Sequence, residues 1–475
     1  MIFINKYVKI KLVKTNLIKE DNMPKINRET YGKATIDTSD NDNLNSFVLA
    51  IKIIEDIANE IQPYVVYENL NEISVAIGEY IGIEVYTDKI LITENGDTVE
   101  HKVSDLSEDM KKVFENINFT DWRMYGIADF NYAKHTFLKN VSDKEVLLKM
   151  FIPRTDIRIL DSSIEIKSVD NIDEIISAVE KCAINSTKEE LKKNTSPVAL
   201  EKLKSIDSEY YKEIVSKGIE EINNGKYDKV ILSRKIKLEK KILLKDSFLL
   251  GRKYNTPARS YCLKIGDVEV IGFSPETVVE VDEEKKVYTF PLAGTRALTD
   301  DPIKNKELKC ELLKDPKEIA EHAVSVKLAF EELEKVCIKD SISVVKFMEV
   351  LERGSVQHLA SRLKGTLKEE FNEWHAFTAL FPAVTASGIP KAECIDAIDR
   401  LEKDERGLYS GGVLTYDQNG TMDVALALRT AFQTDKETWI RVGAGIVKLS
   451  KAERELEETK EKAGSILDKL VYIED

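Results

Sequence analysis

A glycine-rich strand leads directly into a carboxylate-rich helix near the end of the chain, in the segment RVGAGIVKLSKAERELEETKEK at 441–462. Gly443 and Gly445 are two residues apart, so they share one face of the predicted strand. Because glycine has no side chain, a ligand or another chain segment can approach the backbone closely at these positions.

The helix that follows carries charged side chains at helical spacing. Ser450 and Glu453 have the spacing of a capping box, which predicts that Ser450 is the N-cap of this helix. Glu455, Glu458 and Lys462 lie at i, i+3 and i+7 and therefore share one helix face. A run of Glu and Lys on a helix is also typical of a solvated face, and this is the alternative interpretation.

A second acidic pair, Glu318 and Glu321, lies in the segment KEIAEH at 317–322 with i, i+3 spacing. If this pair meets the face that carries Glu455 and Glu458, the four carboxylates form an oxygen-rich site for a hard cation. Mg²⁺ suits such a site, because it takes few protein carboxylates and keeps positions for water or substrate oxygens. This prediction depends on the two helices being close to one another.

Two residues are candidates for acid and base chemistry. Lys229 lies in YDKVILSRK, where alternation places Lys229 and Ile231 on one face of a buried strand. Burial lowers the pKa of a lysine from about 10.4 and can make it a base. Glu276 follows the turn GFSP at 272–275, and a partly apolar site would raise its pKa so that it can donate a proton. The alternatives are an ordinary strand-end lysine and a solvated turn glutamate.

Four small-residue segments accompany these residues, and each supplies backbone amides, hydroxyls or a cation: PLAGTR at 291–296, FPAVTASGIPK at 381–391, LYSGGV at 408–413 and ALALR at 425–429. Amide and guanidinium donors in such turns suit the recognition of carboxylates. Each segment alone could be structural. Together they predict a site for a small anionic molecule.

The elements that must position these residues are strands and long helices without a regular βαβ rhythm, which favours an α+β fold. We divide the chain into a disordered extension at 1–22, a first part at 23–205 and a catalytic part at 206–475. A polar segment broken by proline, 186–200, is the predicted connector. Further predictions are a helix at 208–224, a strand at 229–237 and a hairpin turn at Asn95-Gly96, with strand breaks at Gly78 and Gly82.

Composition excludes several classes of protein. Acidic residues outnumber basic ones by 84 to 70, giving a net charge of -14, which argues against a nucleic acid or an anionic membrane as the main partner. No segment is apolar and long enough to span a bilayer, and we see no signal peptide. The five cysteines show no metal-ligand spacing, which predicts reduced thiols in a cytoplasmic protein.

The motifs also carry a family resemblance. KVILSR, GFSPE, PLAGTR, DPKEIAEH, RGSVQHL, FPAVTASGIPK, GLYSGG and GAGI followed by ERELEETKEK occur in this order between about residues 211 and 467. Over this region the chain resembles the chorismate-utilising enzymes, which include isochorismate, salicylate, anthranilate and aminodeoxychorismate synthases. Among these branches it looks most like the salicylate synthases of siderophore biosynthesis.

The resemblance implies a fold of two large β-sheets packed as a sandwich with helices outside. It also implies one Mg²⁺ that bridges the enzyme and the ring carboxylate of chorismate. Glu321 and Glu458 match the direct ligands of this ion, and Glu318 and Glu455 match their near neighbours.

The resemblance further implies two chemical steps. Lys229 matches the residue that activates water for attack at ring C2, and Glu276 matches the acid that protonates the departing C4 hydroxyl. The product is isochorismate, which salicylate synthases convert to salicylate and pyruvate in the same site. The positions that match substrate-binding or pocket-lining residues are Gly294, Thr295, His358, Thr385, Tyr409, Arg429, Gly443, Gly445 and Lys462.

Differences from sister branches narrow the expected activity. Anthranilate synthases are expected to have glutamine where this chain has Lys229, and aminodeoxychorismate synthases carry a nucleophilic lysine where this chain has Ala293. The resemblance to the salicylate branch implies an enzyme without an amidotransferase subunit, and we predict a monomeric salicylate synthase. The alternatives are an isochorismate synthase that releases its product, an aminating enzyme, and a non-catalytic chorismate-binding subunit.

Overall fold

The computed structural model describes residues 11–13, 29–39, 41, 43–59, 62–186, 197–354 and 356–473. Within these residues the chain forms 24 strands and 12 α-helices. The strands of the first part are β1(Lys11–Val13), β2(Glu29–Thr30), β3(Gly32–Asp37), β4(Tyr64–Asn69), β5(Glu72–Val85), β6(Lys89–Glu94), β7(Asp97–Lys102), β8(Phe119–Thr120), β9(Arg123–Ala128), β10(Leu148–Ile159) and β11(Ser163–Ser168). The remaining strands are β12(Lys229–Leu238), β13(Arg259–Ile265), β14(Val268–Ser274), β15(Thr277–Val281), β16(Lys286–Thr289), β17(Leu292–Ala297), β18(Ser343–Arg353), β19(Val356–Thr366), β20(Gly388–Ile389), β21(Gly412–Asp417), β22(Met422–Leu426), β23(Thr430–Gln433) and β24(Thr438–Val447).

The helices of the described residues are α1(Ser46–Ile57), α2(Leu106–Glu115), α3(Asn131–Leu138), α4(Ile172–Asn185), α5(Pro197–Lys204), α6(Ser208–Asn223), α7(Leu244–Tyr254), α8(Pro302–Leu312), α9(Pro316–Val336), α10(Glu373–Leu380), α11(Lys391–Leu401) and α12(Ala452–Leu467). The two helices that carry predicted site residues, α9 and α12, begin differently. Asp315 caps α9 through its side chain, whereas Lys451 precedes α12 without a side-chain cap.

Two large antiparallel sheets contain all of these strands except the short parallel pair β2 and β8. Sheet I has the order β3-β11-β10-β5-β4-β13-β14-β23-β24-β12-β20, with β1 beside β3. Sheet II has the order β7-β6-β5-β10-β9-β21-β22-β15-β16-β19, with β17 and β18 also paired to β19.

The long strands β5 and β10 belong to both sheets. The first half of β5 pairs with β4 in sheet I, and its second half pairs with β6 in sheet II. Gly78 has φ +71° between the two halves, and the β10 register shifts between Ile152 and Pro153 beside it. This bulge increases the local twist and lets each strand pass from one sheet to the other.

A sandwich core lies between the two sheets, and helices cover their outer faces. The inner cluster includes Tyr67 and Tyr261 of sheet I and Tyr125, Val413 and Ala425 of sheet II. Alternate residues of the same strands point outward into two further cores, which are covered by helices such as α1 and α7 on sheet I and α2 and α10 on sheet II. The α+β sandwich expected from the sequence is therefore confirmed.

Several local predictions can be compared with the structure. The hairpin turn at Asn95-Gly96 is confirmed, with both residues at positive φ between β6 and β7. The predicted breaks at Gly78 and Gly82 are wrong, because β5 continues through both residues, with its bulge beside Gly78 and regular pairing at Gly82. Most of the predicted extension 1–22 and of the connector 186–200 lies outside the described residues, although Lys11–Val13 pairs with β3.

The predicted capping role of Ser450 is also wrong. Its backbone lies two residues before α12, and its hydroxyl accepts a hydrogen bond of 3.0 Å from the Val447 N–H. The hydroxyl also bonds to the Glu455 carboxyl. Ser450 therefore stabilises the turn between β24 and α12 and bonds to a side chain of the first helical turn, but it does not cap a backbone N–H of the helix.

Candidate active site

One cavity brings together most of the side chains and glycines predicted from the sequence. The predicted residues that line it are Lys229, Glu276, Gly294, Thr295, Glu321, His358, Thr385, Tyr409, Arg429, Gly443, Gly445, Glu458 and Lys462. They come from strands of both sheets, from α9 and α12 and from four connecting segments.

The adjacent strands β12 and β24 form one wall of this cavity. Their register places Ile231 opposite Gly445 and Lys229 opposite Val447, and Lys229 and Ile231 face the cavity as alternation predicted. A Cβ atom on Gly445 would lie 3.1 Å from Lys229 Cε and 3.3 Å from Ile231 Cδ1. Gly445 therefore leaves the space that the Lys229 side chain occupies.

Lys229 is paired with a carboxylate from α9. Its Nζ lies 2.7 Å from Glu321 Oε1, and its side chain is buried. Burial acts to raise the pKa of Glu321, but the neighbouring Lys229 ammonium outweighs this effect and holds the pKa below its usual value. In this arrangement Lys229 donates its hydrogen bond to the Glu321 carboxylate as an ammonium. It can accept a proton only after it has lost its own.

Glu276 is buried between two hydrogen-bond donors. The Leu292 N–H donates to its Oε2 at 3.0 Å, and the Thr385 hydroxyl donates to its Oε1. Burial raises the pKa of this carboxyl to about 7, although both donors, Arg429 and Lys229 favour the charged form. A carboxyl with such a pKa carries a proton for a substantial part of the time near neutral pH, which is what a general acid requires.

His358 connects two other predicted residues. Arg429 Nη2 lies 2.8 Å from His358 Nε2, and Thr295 Oγ1 lies 3.0 Å from His358 Nδ1. A guanidinium can only donate, so Nε2 is the acceptor and the ring proton is on Nδ1, which donates to Thr295. Burial, together with the Arg429 and Lys462 charges, holds the pKa of His358 well below its usual value. The neutral ring thus leaves the Thr295 hydroxyl hydrogen for a ligand.

Two cationic groups, Arg429 and Lys462, complete the cavity wall. Burial and the nearby Arg353 lower the pKa of Arg429 to about 10, so the guanidinium remains charged at neutral pH. Lys462 Nζ lies 2.8 Å from Glu458 Oε1 and donates to the Gly443 carbonyl at 3.1 Å. Burial lowers the pKa of Lys462, but Glu458 outweighs burial and raises it. These charges suit a ligand that carries carboxylates.

Glu318 and Glu455 do not line the cavity. Glu318 accepts a hydrogen bond of 3.1 Å from the Thr295 N–H and lies 3.2 Å from Arg296. Glu455 is buried in α12, and burial followed by repulsion from Glu458 raises its pKa. Both residues therefore stand beside the carboxylates that reach the cavity.

The donor set fits a hard cation that keeps other ligands. Glu321 and Glu458 come from different helices and present carboxylate oxygens to one cavity. Within the described ranges, no three carboxylate, imidazole or thiol groups converge to form a complete metal site. A Mg²⁺ ion held here would therefore take most of its ligands from water or substrate oxygens, as this ion commonly does.

Arg441 also lines the cavity, although no role was predicted for it from the sequence. Arg441 is two residues before Gly443 and therefore lies on the same face of β24, a signal that could have identified it. Its Nη2 lies 2.6 Å from the buried Glu402, and its Nε donates to Ser233. Because these partners occupy the guanidinium, Arg441 stabilises the wall near Tyr409, over whose ring it lies at 5.8 Å.

Comparison with known proteins identifies the family. The sequence pattern described as chorismate binding enzyme matches residues 63–468, which is most of the chain. The chain belongs to the chorismate binding enzymes. The matched region extends into the first part of the chain, where the sequence contains no catalytic motif.

Two curated members of this family illustrate the similarity. The chain is 43% identical over 265 residues to the salicylate synthase of Mycolicibacterium paratuberculosis, a match that covers 56% of this chain and 59% of the relative. It is 36% identical over 270 residues to anthranilate synthase component 1 of Haloferax volcanii, covering 56% of this chain and 51% of the relative. The matches thus span a little over half the length of these relatives.

Solved structures of chorismate binding enzymes share the fold. The menaquinone-specific isochorismate synthase MenF of Escherichia coli has a TM-score of 0.68 and 19% identity, and the similarity covers 93% of this chain and 95% of MenF. Anthranilate synthase component I of Streptococcus pneumoniae has a TM-score of 0.66 and 23% identity, with 86% and 93% covered. In the part of the chain that the structure describes, no helix is long and apolar enough to cross a membrane.

Proposed function

We propose that this protein is a Mg²⁺-dependent salicylate synthase that converts chorismate first to isochorismate and then to salicylate and pyruvate. The observation that carries the proposal is that Lys229 and Glu276, a candidate base and a candidate acid, line one buried cavity whose other polar groups suit carboxylates. The proposal is also supported by the 43% identity to a salicylate synthase over half the chain.

In the first step, water adds at ring C2 and the C4 hydroxyl departs. Lys229, once it has released its proton, takes a proton from the attacking water. Glu276 gives its proton to the departing hydroxyl, which leaves as water. One water is consumed and one is formed, so isochorismate has the same composition as chorismate. A pKa of about 7 suits Glu276 to this transfer.

In the second step, the hydrogen at C2 moves to the enolpyruvyl methylene while the ether bond at C3 breaks, giving salicylate and pyruvate. Such a concerted rearrangement depends on a held conformation more than on a further base. Arg429, Tyr409 and the Thr295 hydroxyl are the groups that we expect to hold the pyruvyl part. Tyr409 is buried, and Arg429 and Thr295 are partly buried, so these groups restrict the access of water to the reacting atoms.

We assign the metal ligands to Glu321 and Glu458, with Glu318 and Glu455 as neighbours that adjust the local charge. When bound, Mg²⁺ would supply positive charge that holds the ring carboxylate of the substrate. Glu321 and Glu458 each pair with a lysine in this structure, at 2.7 Å and 2.8 Å. Binding of the ion therefore has to loosen the pairs with Lys229 and Lys462.

Lysine at position 229 supports water over ammonia as the nucleophile, since anthranilate synthases are expected to have glutamine there. An isochorismate synthase would use the same first step and differ only in releasing its product. The monomeric state, the absence of an amidotransferase partner, the cytoplasmic location and the siderophore pathway belong to the same proposal.

The decisive experiment incubates the purified chain with chorismate and Mg²⁺ and follows salicylate fluorescence together with pyruvate release. We expect both products in equal amounts and none after a chelator removes the metal. Isochorismate that accumulates without pyruvate would support the isochorismate synthase instead. Chorismate that stays unchanged would overturn both.

Two pairs of variants test the assigned roles. Lys229→Gln should lose turnover while chorismate still binds, whereas Lys237→Gln, on the same strand but exposed, should keep full activity. Glu458→Gln should weaken Mg²⁺ binding measured by calorimetry, whereas Glu457→Gln, exposed on the same helix, should leave it unchanged. Unaltered turnover in Lys229→Gln would exclude the role of base.

A further inference from the structure

A buried ion pair between α9 and α11 lies outside the main cavity. Lys391 Nζ lies 2.5 Å from Glu332 Oε1 and donates a hydrogen bond of 2.9 Å to the backbone carbonyl of Leu380. Both charged side chains are buried, at 4% and 6% exposure. Since the cost of desolvation offsets much of the attraction in such a pair, its contribution to stability does not by itself explain it.

This pair joins the two ends of one loop. Leu380 is the last residue of α10 and Lys391 is the first residue of α11, so the segment 381–390 is closed at its base by the Lys391 side chain. Glu332 attaches this base to α9, the helix that also carries Glu321. The loop is thereby fixed to an element of the candidate active site.

The same loop contacts both candidate catalytic residues. Thr385 donates a hydrogen bond to the Glu276 carboxyl. Further along, Gly388 and Ile389 form β20, which pairs with Lys229 and Val230 of β12. A Cβ atom on Gly388 would lie 2.2 Å from the Lys229 carbonyl oxygen, so the two backbones are in close contact. The loop therefore spans from the acid to the strand of the base.

A smaller cavity adjoins the main one at Glu276 and Thr385, which line both. Glu276, Thr385 and Glu332 all line it. Thr385 therefore faces the same small cavity as the acid and Glu332, with free space beside it. If the base of the loop loosens, Thr385 has room to leave Glu276.

We propose that Glu332 and Lys391 are positioning residues whose ion pair closes the loop 381–390 and so holds the Thr385 hydroxyl on the Glu276 carboxyl. The proposal rests on the role of Glu276 as the acid in the proposed function. Neither residue touches the main cavity, so both act through Thr385.

The test uses the pH dependence of turnover in the full-length chain. The charges near Glu276 are Lys229 and Arg429, its hydrogen-bond donors are Thr385 and the Leu292 N–H, and Glu332 faces it across the small cavity. Loss of the Thr385 bond removes a donor that favours the carboxylate. The acid then keeps its proton to higher pH, and the alkaline limb of kcat moves upward by about one pH unit.

The main variant replaces both members of the pair, Glu332→Met with Lys391→Met, because a single replacement would leave an unpaired buried charge and could prevent folding. We expect it to shift the alkaline limb as Thr385→Val does, and we expect no further shift when the three substitutions are combined. A limb that stays in the wild-type position while only the rate falls, or shifts that add, would overturn the proposal.

Lys134→Met is the matched control, because Lys134 pairs with Asp399 on α11 at 2.7 Å, and neither residue belongs to the loop. It should leave the pH profile unchanged, and a shift as large as that of the main variant would contradict the proposal. A crystal structure of the double variant gives a readout that does not depend on the reaction. A structure in which Thr385 has moved away from Glu276 supports the proposal, and one in which the contact is retained overturns it. This readout holds even if the wild-type chain leaves chorismate unchanged and the proposed function fails.

Discussion

Glu276 shows how burial and hydrogen bonding oppose each other at a single carboxyl. Burial favours the protonated form, while Thr385 and the Leu292 N–H favour the charged one, and the balance raises the pKa to about 7. The acid function needs the proton. The active form is therefore the one that predominates below this pKa.

We expect kcat for the first step to fall as the pH rises through about 7, since the fraction of protonated Glu276 falls there. Glu276→Gln should lower kcat by on the order of 10² or more and remove this limb, because glutamine cannot give up a proton. Chorismate binding measured by calorimetry controls for folding. A limb that persists in Glu276→Gln would assign it to another group.

His358 provides a second prediction, which depends on its tautomer. In His358→Gln the side-chain oxygen can replace Nε2 as the acceptor for Arg429, whereas in His358→Asn the amide nitrogen can replace Nδ1 as the donor to Thr295. If Arg429 binds a substrate carboxylate, His358→Asn should raise KM for chorismate by about tenfold, and His358→Gln should raise it less. Steady-state kinetics of the two variants decides this, and the reverse order would contradict the tautomer.

Much of the site at this scale could be predicted because its residues fall in compact motifs, such as GFSPE for Glu276 and PLAGTR for Thr295. Two kinds of information were not accessible from the motifs. The contact between Lys229 and Glu321 joins residues far apart in the chain. The hydrogen bonds of His358 depend on where β17 and the segment after β22 place Thr295 and Arg429. Arg441 was missed because its buried partner Glu402 lies outside every motif.

At the scale of elements, the two glycines of β24, Gly443 and Gly445, have different neighbours and therefore different roles. A Cβ atom on Gly443 would lie 2.7 Å from the backbone carbonyl oxygen of Leu232, whereas one on Gly445 would meet the flexible Lys229 side chain at 3.1 Å. The first contact involves a strand that cannot easily move. The second involves a side chain that takes part in the proposed chemistry.

We therefore expect opposite effects from two matched substitutions. Gly443→Ala should destabilise the fold by about 1–3 kcal/mol, because backbone atoms of β12 would have to move. Gly445→Ala should lower kcat and leave the thermal midpoint nearly unchanged, because Lys229 can move away from the new methyl group. Thermal unfolding and kinetics of both variants provide the check, and a stable, inactive Gly443→Ala would reverse the assignment.

The elements themselves were predicted with uneven success, for reasons that differ in each case. The helix at 208–224 and the strand at 229–237 were found because their periodicity is regular, and the structure has them as α6 and β12. The predicted end of a strand at Gly78 was wrong because glycine also permits the bulge within β5. The choice between a turn and a bulge depends on the partner strand, here β10, which the local sequence does not reveal.

At the scale of the whole molecule, two strand pairings of the described residues cross the division at 205/206. β4 of the first part pairs with β13, and β9 pairs with β21. Tyr67 and Tyr261 pack in the same inner core although they come from different parts. Each part alone would expose unpaired strand edges and half of that core.

We expect that a fragment of residues 206–475 does not unfold cooperatively when expressed alone, although it contains every predicted site residue. Coexpression with residues 1–205 should restore a cooperative thermal transition and chorismate binding. Calorimetry and circular dichroism of the fragment, the mixture and the full chain make the comparison. A fragment that melts cooperatively by itself would show that the second part is an independent domain.

The order in which paired strands are synthesised has a consequence for the nascent chain. β10 can pair with β5 and β11 soon after these segments leave the ribosome, but the second neighbour of β9 is β21, which is made much later. A nascent chain therefore carries an open sheet edge through most of translation, a state that invites association with other chains. Slower elongation would prolong this exposure. A chaperone that binds the edge of β9 would protect it until β21 is made. For this architecture, yield in the cell should depend on translation speed as well as on final stability.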